Sequence, residues 1–481
     1  MFRSDRFVTM RNRNSICWGW VGLGLILLAG APVWSQDEPR TVPATAATGP
    51  VSDVPSPDDT GRMLTPPPVN GQSYPAVPAS EERSNYLRGG VTFTGAYTDN
   101  AVGPVNGHPV SDVSYSVAPF IALDEATPRL HLALNYAPGF TFYQRETNLN
   151  EADQNASIDL EYRLSPHVTF SARDGFQKSS NVFNQPDLAS AAAVTGSTEA
   201  ANFSVIAPIA DRLSNSGDAG ITYQFAANSM VGASGTFTNL HYPNQAEVPG
   251  LVDSGSQSGS AFYSLRIARR HYMGVVYQYQ RLLAYPVPGT NETQTHAALV
   301  FYTVYLRPRF SISLFGGPQY ADIGTQWPPT TCTNIVGTCP TPGSRNWNPA
   351  AGGSLGWQGH LSSVAISYVH LISSGSGLIG AVRMDNASAS IRQQLTRRLS
   401  ASVAGGYTQN DVLDAPPTVS SNGHTVLGTA GLQQQFGQHL NLQLGYTRIH
   451  QDYASVAVLA TPNTNREFVS ISYQFAKALG R

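Results

Sequence analysis

Few residues in this chain have the type and spacing that chemistry requires. Cys332 and Cys339 bracket a short loop, C-T-N-I-V-G-T-C. In an oxidising compartment that spacing reads as a loop disulfide; two free thiols or half of a metal site are the alternatives, and no His or Cys nearby completes a metal set. His370, His424, His439 and His450 fall near alternating apolar stretches, and Ser421-Asn422-Gly423-His424 brings a hydroxyl close to an imidazole. Ser, Asn and Gly ahead of a strand are ordinary turn chemistry, and no nucleophile, base and orienting group can be assembled from these spacings. A Gly-rich phosphate loop, zinc spacing and paired-carboxylate pattern are equally missing from the sequence. The expectation is a chain that is not an enzyme and uses no cofactor. Charge recurs differently, as Asp159, Glu161, Arg163, Arg173, Arg266 and Arg392 on one face of alternating segments.

Those charges need elements that hold them to one side. The end of the chain shows the pattern: Val469, Ile471, Tyr473 and Phe475 alternate with Ser470, Ser472 and Gln474. Strand side chains alternate with period 2, so one face is apolar and the other small and polar. Ile158, Leu160 and Tyr162 oppose Ser157, Asp159 and Glu161; Phe310, Ile312 and Leu314 oppose Ser311 and Ser313; Leu440, Leu442 and Leu444 oppose Asn441 and Gln443. About eighteen such stretches run from Leu87 to Phe475, most of them about 10–14 residues, longer than the ~5–6 usual in soluble strands and long enough to cross a bilayer at a tilt. The stretch 293–306 is ambiguous, since Leu299 and Phe301 fall on the face otherwise polar.

Connections alternate between short ones, such as 124–128, 164–166, 226–229 and 437–438, and long ones rich in Gly, Pro, Asn and Thr, such as 242–256, 322–345 and 452–464. Short turns on one side and long loops on the other are the layout of an outer-membrane barrel. Charged residues are only 12% of the chain, against the usual ~25%. A surface that faces lipid outside and water inside needs little charge. Net charge is −2, and Lys178 and Lys477 are the only lysines, so there is no basic footprint for nucleic acid. The fold class expected is all-β: a transmembrane antiparallel up-and-down β-barrel of about 18 strands, with the six charges named above facing its lumen. Mixed signs there predict weak ion selectivity; Arg173, Arg266 and Arg392 at one depth would add a mild anion preference.

Residues 1–35 have the form of a signal peptide: Arg3, Arg6, Arg11 and Arg13, then an apolar run from Ile16 to Ala31, then Val33-Trp34-Ser35. Residues 36–86, with Pro66-Pro67-Pro68 at their densest point, have a composition too poor in apolar residues to fold and are read as a disordered Pro-rich periplasmic segment. Residues 87–475 are the barrel and 476–481 a C-terminal tail.

The signal-like start, the alternating strands from Leu87 to Phe475 and the closing V-S-I-S-Y-Q-F together resemble the bacterial outer-membrane β-barrel porins, over about four-fifths of the chain. The resemblance is architectural. It implies an outer-membrane location, contact with outer-membrane lipid, and assembly by the barrel-assembly machinery acting on the last strand, although Ala476 to Arg481 follow the aromatic residue that usually ends it. It implies passive diffusion of small polar solutes, with a homo-oligomer as a further expectation. A barrel component of carbohydrate export or uptake is the alternative, and a barrel-wall hydrolase a weaker one. In porins the third external loop narrows the pore; the corresponding connection here, about 178–213, carries Asp187, Glu199, Asp211 and Arg212, and the plain alternative is a large surface loop.

Overall fold

The computed structural model describes residue 63 and residues 85–101, 109–179, 211–245, 250–286, 290–307, 310–326, 344–359, 361–375, 377–378, 380–413, 422–453 and 463–479. All belong to one compact unit, Ala46–Arg481. Residues 1–35, most of 36–86, Asp187, Glu199, Cys332 and Cys339 lie outside the described residues.

Eighteen antiparallel strands follow one another in chain order: β1 (Tyr86–Thr98), β2 (Asp112–Ala126), β3 (Leu130–Tyr143), β4 (Glu151–Arg163), β5 (Val168–Ser179), β6 (Arg212–Ala226), β7 (Ser229–His241), β8 (Asp253–Ala268), β9 (His271–Tyr285), β10 (Thr290–Arg307), β11 (Phe310–Gln326), β12 (Ser344–Gln358), β13 (Ser362–Ser374), β14 (Ala381–Gln394), β15 (Leu399–Val412), β16 (Gly423–Phe436), β17 (Leu440–Tyr453) and β18 (Asn463–Ala478). Each pairs with the next, and β1 pairs with β18 from Tyr86↔Ala478 to Thr98↔Arg466, which closes the barrel. The count and order are those expected from alternation. The last strand runs past Phe475, because Lys477 and Ala478 still find partners in Leu87 and Tyr86.

Closure fixes which side each residue faces. Val469, Ile471, Tyr473 and Phe475 point out and are about half exposed, while Ser470 on the inner face is 7% exposed. Val403, Leu314, Phe93 and Tyr115 are likewise outward and exposed. In water such a surface would aggregate. In a bilayer it is the apolar band of a spanning barrel, each strand hydrogen-bonded to a neighbour on either side. Tyr97, Tyr115, Tyr285, Tyr320, Trp347 and Tyr407 sit outward toward the long-loop end, and Tyr162, Tyr223, Trp357 and Tyr473 toward the other, as interfacial girdles do. The chain is thus an outer-membrane-type barrel, its short turns periplasmic and its long connections external.

The short turns are built on hydroxyls. Leu130 N–H donates to Thr127 Oγ1 at 3.0 Å, Val168 N–H to Ser165 Oγ at 3.1 Å and Leu399 N–H to Thr396 Oγ1 at 3.0 Å. Aromatic rings lie flat over glycines on neighbouring strands, as Phe301 does over Gly274 and Phe315 over Gly352, where a Cβ would collide with the ring. Inside the barrel these rings lie along the wall, which only glycine allows.

Candidate functional site

The lumen wall divides into arcs of different chemistry. Inward positions on β1, β2, β4–β6, β8, β14 and β18 carry the charge. Asp112, Asp124, Glu151, Asp153, Asp159, Glu161 and Asp218 face Arg88, Arg163, Arg173, Arg212, Arg266, Arg392 and Arg466 across it, so acids and arginines balance among the described residues.

Register brings several of these together. Asp159 and Arg173 are directly opposite on β4 and β5, with Nε to Oδ2 at 2.9 Å. Arg173 is also opposite Asp218 on β6, so one guanidinium stands between two carboxylates. Glu161 lies 3.7 Å from Arg163 and opposite His131, whose Nε2 is 3.5 Å from Asp124. Arg212 begins β6, is buried, and faces Asp153 and the Tyr242 ring. Arg266 instead caps a turn, donating to Asn228 Oδ1 at 3.1 and 2.9 Å and to Ala227 O at 2.8 Å. Arg392, exposed near the β14–β15 turn, is opposite Ser363 and Ser402. The row through Arg173 and Asp218 crosses β8 at Ser258, far along the strand from Arg266, so these arginines do not form one ring.

Two further arcs are polar and neutral. On β7 and β8 hydroxyls pair across the strands: Ser234 with Ser260 at 2.7 Å, Thr236 with Ser258 at 2.6 Å and Thr238 with Ser256 at 3.2 Å. On β15–β17 the inward residues include Thr408, Asn410, Thr425, Gln433, Gln443 and Gln451.

Over the remaining strands, β9–β13 and the external part of β14, the inner wall carries an apolar band. Val276, Ala297, Leu299, Phe301, Phe315, Ala350, Val369, Leu371 and Met384 form one buried cluster on the inner wall. Leu299 and Phe301 therefore do face the lumen, which explains why their stretch reads ambiguously in sequence. What buries them in part is the end of the β13–β14 hairpin, whose β13 side leaves the wall and lies inside the barrel against β8–β11. Leu378 at its tip packs with Tyr242 and Leu251, and Ile372 with Leu282 and Ala321. Val252 N–H donates to Gly377 O at 2.8 Å. The Gln319 carboxamide holds Ile372 at both backbone groups. Gly377 and Gly380 have φ of 101° and 96°, which lets the tip turn tightly against Tyr242 and Asn291. Burial pushes the Tyr242 phenol up to about 12.

Sequence alternation does not reveal this fold-in, because an inward-leaning strand alternates like any other. Besides Leu299 and Phe301, the signal in the sequence is Leu378, an apolar residue after the Gly/Ser run S-S-G-S-G. At the opposite mouth, Met63 from the Pro-rich segment sits inside the barrel. Its N–H donates to Gln224 Oε1 at 3.1 Å and its side chain packs on Met230 and Tyr272. A single apolar side chain can dock in this way without the segment having a folded core of its own.

The histidines serve local structure. His370 faces outward, with Nδ1 2.8 Å from Asp385 Oδ1 and Nε2 3.4 Å from Asn348 Nδ2, and Tyr368 OH donates to the same carboxylate at 2.6 Å. His439 Nδ1 contacts Gln474 O at 2.8 Å, and the His424 ring lies beside Tyr407 and His450.

No protein-family model and no curated protein matches the chain. Among solved structures, it is similar to OccAB4 of Acinetobacter baumannii at 9% identity over 82% of this chain and 99% of that one, with a TM-score of 0.38. The outer membrane protein OpdK of Pseudomonas aeruginosa aligns at 9% identity over 81% of this chain and 99% of its own, TM-score 0.37. The FrpB iron transporter of Neisseria meningitidis aligns at 10% identity and TM-score 0.39 over 81% of this chain, which spans 66% of that transporter's length.

Proposed function

We propose that the chain is an outer-membrane channel through which small polar solutes diffuse into the periplasm. The observation that carries this reading is the polar lumen, and within it the row Asp159, Arg173 and Asp218, whose charged groups lie on the inner wall with Asp159 and Arg173 still partly open to water. A charged row held inside a lipid-facing wall is costly unless the lumen is wet. Balanced acids and arginines select weakly between cations and anions and leave size as the main filter. Residues 1–35 serve export, residues 36–86 are the periplasmic segment anchored at Met63, and β18 is the strand that the assembly machinery reads.

A second reading is a barrel component of carbohydrate export or uptake. The hairpin folded inside the barrel against β8–β11 favours it, since a passage narrowed at rest suits a pathway opened by a partner.

Conductance of the refolded chain in planar bilayers, with swelling of liposomes in sugars of graded size, tests both. Stable openings with a reversal potential near zero in a salt gradient are expected. Absence of current and of swelling, in the wild type and with the hairpin residues 371–382 deleted, overturns the diffusion channel.

A further inference from the structure

β12 has two partners for only part of its length. It pairs with β11 from Trp357 up to Ser344, but with β13 only from Gln358 to Ala351, where the last pair is Ala351↔His370. Beyond it β13 continues as strand to Ser374, yet within the lumen, with the Gln319 side chain serving its backbone in place of β12. Residues 344–350 are left as a strand edge without a β13 partner. That edge is finished rather than torn: Pro349 has no N–H to leave unpaired, and its carbonyl accepts the Asn348 side-chain amide at 3.0 Å.

Continuing the register one pair at a time sets Leu371 opposite Ala350, Ile372 opposite Pro349, Ser373 opposite Asn348 and Ser374 opposite Trp347. Every pair keeps its face. Leu371 and Ser373 stay inward with Ala350 and Asn348. Ile372 turns to lipid beside Pro349, extending the outward series Val364, Ile366, Tyr368 and His370. The end of β13 therefore carries an alternation that suits the wall as well as the lumen. The two places exchange comparable things: apolar contacts and a few hydrogen bonds inside, ladder bonds and a lipid contact in the wall.

The geometry points to a two-position gate. The described residues of the β13–β14 end, 371–375, 377–378 and 380–381, lie inside the barrel against β8–β11 in this structure, while Val382 still pairs with Val412 of β15; in a second state the β13 side zips onto the β12 edge and clears the passage. This inference rests on the channel reading and adds the regulation of that same lumen.

A cysteine trap tests it. In the full-length chain with its three native cysteines changed to serine, Asn348→Cys with Ser373→Cys places two thiols opposite each other only in the zipped state. Ser354→Cys with Ser367→Cys, a pair already in register on the inner face, is the control. In oxidised proteoliposomes the trap pair is expected to crosslink, seen as a reducible gel shift, and to hold conductance at its high level. Gln319→Leu removes both hydrogen bonds to Ile372, should raise the open-to-closed ratio by about tenfold and should speed the crosslink accordingly. If the control pair crosslinks while the trap pair does not, with either residue at 319, the gate is overturned. A crosslink without current in any state upholds the gate and removes the channel reading. Current without a crosslink does the reverse.

Discussion

The Gln319 carboxamide acts as a strand partner for Ile372. Its Oε1 accepts the Ile372 N–H at 2.9 Å and its Nε2 donates to the Ile372 carbonyl at 3.4 Å, from the inner wall at β11 to the inturned end of β13. Both groups are buried, so neither has water to fall back on. Gln319→Ala leaves two backbone groups unserved and is expected to cost about 1–3 kcal/mol in the inward position of the hairpin. Faster hydrogen exchange at the Ile372 amide, with the exchange of mid-barrel β12 amides unchanged, is the measurement; equal exchange in both proteins would refute it.

Arg173 stands between Asp159 and Asp218 on the lumen wall. Arg173→Gln removes the positive charge and leaves two carboxylates facing the passage. The reversal potential in a salt gradient should move toward cations, and Asp218→Asn should move it toward anions. Screening makes both shifts larger at low salt. Shifts of the same sign in the two variants would show that this row does not face the conducted ions.

Gly274 is covered by the Phe301 ring and approached by the Tyr263 carbonyl. A methyl group there has no room, so Gly274→Ala should destabilise the barrel by about 1–3 kcal/mol, the usual cost of overpacking. Gly259, whose added Cβ meets nothing within 4 Å, is the control. The temperature at which the folded band disappears on gels should fall for the first and hold for the second.

Tyr242 packs against Leu378 and is held neutral by burial, which outweighs the opposite pull of the Arg212 charge. Its ionisation is displaced from 10.0 to about 12. Because the buried form resists losing its proton, the contribution of this contact is complete below pH 10 and is lost as pH rises toward 12. Conductance should increase over that window in the wild type and stay flat in Tyr242→Phe.

How much of this was legible in the sequence depends on what alternation can encode. Period-2 patterning names the outward face of each strand, so the eighteen strands and their order follow from it, and with them the expectation that Asp159, Glu161, Arg173, Arg266 and Arg392 line the lumen. Pairing partners do not follow. That Arg173 has a carboxylate on either side, while Arg266 is taken up by Ala227 and Asn228, depends on register across strands far apart in sequence. The hairpin is harder still, because Ile372 has the same parity in the wall and in the lumen. Only Leu378 and the pair Leu299 and Phe301 hint that part of the inner wall is dry. Arg212 is described at the start of β6, whereas Asp187, Glu199 and the Cys332–Cys339 loop lie outside the described residues.

The unzipped length of β12 also has a mechanical meaning. A closed ladder of hydrogen bonds resists spreading as a hoop does, with tension carried around the whole ring. Above Ala351↔His370 the hoop is cut, so the external half of the wall behaves as a split ring while the periplasmic half remains continuous. The girth of that external half then follows the lateral pressure of the surrounding leaflet, and the stiffness of the membrane becomes one of the forces that set its width.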